Sequence, residues 1–128
     1  MVNDILTDTQ KKAGKELLKN LDKSGALVDA ALWYFFDDIK KYKLLIYLAD
    51  VEVVGPKKSY SVIQKALSKL ENKDISLSDI GLLNKSNNIL RLLRVAVKTD
   101  KKAILSISFT NNIINGVNIK DAFIYRLS

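Results

Sequence analysis

The sequence predicts a single α+β domain, in the order α-β-β-α-β-α-β-β, with three helices packed on a mainly antiparallel or mixed five-stranded sheet. Three observations lead there. Three stretches repeat apolar residues at helical spacing, and five shorter ones read as strands. Two links between strands, "DDIKK" and Asn115-Gly116, are short enough for antiparallel hairpins. The 128 residues contain no repeat, low-complexity tract or Pro/Gly-rich linker, so one domain spans 1–128.

The first helix starts at Thr7, with Gln10 three residues on as a capping box. Ala13, Leu17, Leu18 and Leu21 form its buried face, and Lys11, Lys12, Lys15, Lys19 and Lys23 its solvated one. Gly25 after Ser24 ends it. "ALVDAALWYFF" has apolar residues on both parities, which predicts a central strand covered on both sides. "YKLLIYLADVEVV" reads as the second strand, carrying Asp50 and Glu52 near its end. Gly55 and Pro56 open the second helix, whose stripe is Tyr60, Ile63, Leu67 and Leu70.

A short strand over 79–84 follows, and Ser86 or Asn87 starts the third helix. Its inner face is Ile89, Leu92, Leu93, Ala96 and Val97. "AILSISFT" alternates cleanly, with Ala103, Leu105, Ile107 and Phe109 against Ser106, Ser108 and Thr110. The Asn115-Gly116 turn pairs Ile114 with Val117, Thr110 with Asp121 and Ser106 with Tyr125. That register puts Phe123 and Tyr125 beside the serine row. A β-bulge in "NNII" is therefore expected, realigning them with the apolar face, unless helices cover both faces of the hairpin.

Composition excludes much chemistry. Without cysteine there is no disulfide, thiolate nucleophile or thiolate metal site. Without histidine, Ser-His-Asp and Cys-His catalysis and histidine-bound zinc are ruled out. No apolar run reaches the ~20 residues of a membrane span, and the N-terminal stretch is not a secretory signal. A cytoplasmic protein without membrane attachment, metal or cofactor is the simplest expectation.

The net charge of +7 suggests an anionic partner, either nucleic acid or a phosphate-bearing ligand. Usage rich in Lys, Asn and Ile is also what an AT-rich genome produces without functional demand. The candidate anion-binding residues are Lys57, Lys58 and Ser59 at the start of the second helix, Arg91, Arg94 and Lys98 along one arc of the third, and Arg126. No P-loop or helix-turn-helix pattern accompanies them. The consecutive aromatics Trp33, Tyr34, Phe35 and Phe36 read as core.

A non-catalytic binding domain is thus the first expectation. The alternative is a carboxylate and Mg²⁺-dependent phosphodiester or phosphoryl enzyme using Asp29, Asp50, Glu52 and Asp121. Residues 50 and 52 would share one face of a strand, but no restriction-nuclease or nucleotidyltransferase motif surrounds them. A second alternative is a homodimer or interaction module that pairs through the C-terminal strand as a sheet edge. The stretches "WYFFDDIKKYKLLIYLADVEVVGPKKSY" and "NNIINGVNIKDAFIYRL" resemble a group of small prokaryotic proteins of uncharacterised function. The resemblance implies an intact bacterial or archaeal protein and carries no activity, cofactor or site residue.

Overall fold

The computed structural model describes residues 5–71 and 73–128. Its elements are α1 (Asp8–Lys23), β1 (Val28–Phe36), β2 (Lys41–Leu48), α2 (Val51–Val54), α3 (Pro56–Ser68), β3 (Ile80–Leu82), α4 (Asn88–Ala96), β4 (Ile107–Ile114) and β5 (Val117–Leu127). The fold is α+β, with a five-stranded mixed sheet in the order β3-β2-β1-β5-β4. Neighbouring strands are antiparallel except β2 and β3, which run parallel.

Alternate residues of central β1 face two helical layers. Trp33 stands across from Leu44 and Phe123 on the side covered by α1 and α3. Leu32 stands across from Leu45 and Ile124 on the side of Tyr47, over which Arg94 of α4 lies. Leu17, Leu18, Leu21, Ile63, Leu90 and Leu93 are fully buried, as are Leu32 and Trp33. The capping box at Thr7 and Gln10 is present, and Asn87 caps α4 through Ile89 N and Leu90 N.

Several expected boundaries are corrected. The second strand ends at Leu48 because its partner runs out: Leu48 pairs with Val28, the first residue of β1. After one more bond, from Ala49 N to Leu27 O, residues 51–54 close a helical turn on Asp50 O. That makes four α-helices among the described residues rather than the expected three, besides a 3-10 turn over Leu77–Asp79. Gly55, at φ +87°, separates this turn from α3. The third strand is three residues long, not six. On α4, Leu90 is buried although it fell outside the expected stripe, and Ala96 is exposed.

The last hairpin holds both the best prediction and the clearest error. Asn115 and Gly116 both take positive φ, and Ile114 pairs with Val117 and Thr110 with Asp121 as expected. The strand occupies 107–114 rather than 103–110, and its register runs unbroken. "NNII" contains no extra residue, although Asn111 does take φ +52°. The bulge lies in β5 instead. Ala31 pairs with Arg126 and Leu32 with Ile124, which leaves Tyr125 as the additional residue. Hence four consecutive residues, Ile124 to Leu127, are all buried. Nor is β5 an edge: it lies between β1 and β4, and the edges are β3 and β4.

The bulge turns both Tyr125 and Arg126 towards α1. Tyr125 Oη accepts from Trp33 Nε1 at 3.0 Å and donates to Lys11 O at 2.5 Å. Gly14 is where that hydroxyl meets the helix. A Cβ there would run into Tyr125 Oη and lie 2.9 Å from Trp33 Nε1, both on buried rings. Gly14→Ala therefore lowers stability by about 1–3 kcal/mol despite the better helix propensity of alanine. Urea midpoints measure the difference, and an unchanged or raised midpoint contradicts this packing.

Burial pushes the Tyr125 phenol well above its ordinary value, with the Trp33 hydrogen bond opposing. The neutral phenol is the form the fold holds. An unfolded chain loses its proton near pH 10, so stability falls as pH rises above about 10. Urea midpoints between pH 9 and pH 11, at about one-unit steps, should fall more steeply for the wild type than for Tyr125→Phe. Equal slopes would remove Tyr125 as the cause.

Candidate anion-binding clefts

The C-terminus of α1 turns into β1 through Ser24, Gly25 and Ala26. Gly25 takes φ +86°, and Ala26 N bonds back to Leu21 O. Two clefts adjoin this turn and share Gly25 and Ala26. One, of about 380 Å³, lies towards α3 and is bordered by Asp50, Lys58, Ser61 and Lys65. The other, of about 570 Å³, is bordered by Asp22, Asp29, Lys101, Lys102 and Arg126.

Lys58, Lys65, Lys101 and Lys102 are exposed, and none forms an ion pair among the described residues. Lys58 stands in the first turn of α3, which has no acidic residue and no side-chain cap. Positive side chains therefore add to the positive helix end. Lys57 is exposed on the same turn, whereas Ser59 is buried and its Oγ donates to Gly55 O at 2.9 Å. The Ser59 hydroxyl serves the helix start.

Arg126 lies on the inner side of the second cleft but is only 1% exposed. Its Nη1 and Nη2 donate to the two carboxylate oxygens of Asp22 at 2.9 and 2.8 Å. Nη1 also reaches Val28 O, and Nε donates to Ala103 O at 2.8 Å. This bidentate clamp binds β5 to the last turn of α1 and to the segment before β4. Its charge is matched within the fold.

The remaining candidates lie elsewhere. Arg91 and Arg94 belong to α4 in the opposite layer of the molecule, where Arg91 is exposed. Lys98 is exposed too but does not continue their arc, because α4 ends at Ala96 and Val97 is already extended. Arg94 Nη2 donates to Ser128 O at 2.6 Å, its guanidinium carbon stands 6.0 Å from the Tyr47 ring centre, and its buried Nε has no partner among the described residues. Burial raises the Tyr47 phenol, the charges of Glu52 and Asp29 add to that, and Arg94 opposes it.

The four carboxylates do not share a site. Asp29 and Asp50 border different clefts, and Glu52 accepts from Lys85 N at 3.2 Å. Asp50 and Glu52 are two apart at a helical turn rather than on a strand, so they do not share a face. Asp121 accepts from Tyr42 Oη and from Thr110 Oγ1 on the β4–β5 hairpin. Among the described residues, no group of three or more acidic residues is placed to hold a metal ion.

Sequence reasoning missed Lys65, Lys101 and Lys102. The spacing of Lys58 and Lys65 by seven on one helix was a usable signal. Nothing local marked Lys101 and Lys102, which read only as a turn.

The Arg126 clamp predicts an asymmetry. Asp22→Asn leaves a buried guanidinium without its counter-charge and lowers stability by about 2–4 kcal/mol. Adding Arg126→Met to that variant removes the uncompensated charge and restores part of the loss. Urea denaturation of both single variants and the double variant checks this, and a double variant weaker than Asp22→Asn would contradict it. Compared with protein-family models, curated proteins and solved structures, the chain matches none.

Proposed function

We propose that the protein is a non-catalytic binding domain for a polyanionic partner, with nucleic acid as its main form and other phosphate-bearing ligands as the same chemistry. One observation supports this above others: Lys58 and Lys65 on one side of Gly25–Ala26, and Lys101 and Lys102 on the other, border adjoining clefts without ion-pair partners among the described residues. Four such ammonium groups attract phosphates and release counterions on binding. A cytoplasmic setting belongs to the same reading. It fits a chain without cysteine in which no helix among the described residues is long and apolar enough to cross a membrane.

Fluorescence anisotropy with labelled RNA and DNA oligomers of about 20 nucleotides, over a salt series, is the test. Binding should weaken linearly in log–log form. Replacing Lys58, Lys65, Lys101 and Lys102 together by Gln should abolish most affinity, and each lost contact should lower the slope by about 0.7–0.9. Arg91→Gln, on α4 in the other layer, should leave binding within about twofold. No binding of any oligomer at low salt removes the nucleic-acid reading, and competition by inorganic polyphosphate tests the broader one.

A further inference from the structure

We infer that the β4 edge is a self-association surface, at which a second copy of this chain pairs antiparallel, β4 to β4, to continue the sheet across a twofold axis. The two sheet edges are unequal. β3 offers three residues, whereas β4 offers the eight from Ile107 to Ile114. Long edges are commonly blocked by lysine, proline or a covering element. β4 contains neither residue, and most of its residues are exposed. Ile113 is 73% exposed, and Val117, just across the turn, is exposed as well.

Charge identifies the occupant. Residues 103–119 contain no charged side chain, and all 21 basic and 14 acidic residues lie outside them. No other stretch of this length in the chain is neutral. Two copies, each with a net charge of +7, meet the least repulsion where both present this segment. An anionic partner has no reason to choose it. Pairing of β4 with β3 of another copy would propagate an open filament, and a three-residue β3 gives such a contact little hold. Pairing β4 to β4 closes after two copies.

Asn111, at φ +52°, divides the edge into two short runs. The paired area is therefore small, and the dimer is weak and reversible, with a dissociation constant on the order of 100 µM. Its salt dependence runs opposite to that of polyanion binding. Raising salt screens the repulsion between two positive copies, so association strengthens.

Sedimentation equilibrium of the full chain tests this, from about 10 µM to about 1 mM at low and high salt. A monomer–dimer equilibrium strengthened by salt is expected. Ile113→Lys and Ser108→Lys, at exposed positions of the edge, should each weaken it at least about tenfold. Circular dichroism confirms folding, and the two variants make the test independent of either one failing to fold. A wild type that stays monomeric throughout overturns the inference. A dimer unaffected by both lysines, or one that dissociates as salt rises, overturns it equally.

Discussion

One extra residue in β5 governs how the molecule is assembled. Without the bulge at Tyr125, alternation would send Tyr125 and Arg126 to opposite faces. With it, both reach α1, and they hold the helix at two separated points. Tyr125 engages Lys11 O, and Arg126 engages Asp22 in the last turn. Eleven residues of helix separate these anchors, about 16 Å along the axis. That fixes both the position and the tilt of α1 on the sheet. Gly14, between them, allows the close approach that the Tyr125 hydroxyl requires.

The clefts follow from that docking. The α1–β1 turn is held where Lys58 and Lys65 approach from α3 and Lys101 and Lys102 from the segment before β4. Arg126 takes part in fixing both sides, because Nη1 and Nη2 bind α1 while Nε binds Ala103 O just beyond Lys102. A residue that reads in sequence as a free cation is thus the strut that positions other cations. The buried pair gains its worth from satisfied geometry rather than from attraction alone.

Local pattern made much of the fold legible. The capping box at Thr7, Pro56 as a first helical residue, and the Asn115-Gly116 turn each depend on residues within a few positions, and each appears in the structure. The hairpin register was legible for the same reason. What escaped depends on partners far along the chain. β2 ends because β1 begins at Val28. The bulge answers to Trp33 and α1 rather than to the mismatch beside Ser108, which stays exposed beside Phe123. The site was half legible: Lys58 stood out at a helix start, while Lys101 and Lys102 acquire significance only from a turn some seventy-five residues earlier.

The division of labour between arginine and lysine limits what kind of recognition this surface supports. Of three arginines, Arg126 is consumed by Asp22 and main-chain oxygens, and Arg94 by Ser128 O and the Tyr47 ring. Only Arg91 is exposed. The planar fork that reads phosphate or guanine bidentately is thus spent largely inside the fold. What borders the clefts is lysine, a strongly hydrated point charge on a flexible stem. Such groups neutralise phosphates without prescribing their orientation, and they carry little base discrimination. On the proposed reading, a surface of this composition favours tracking of a charged backbone over the reading of sequence, with affinity set mainly by how many phosphates it meets at once.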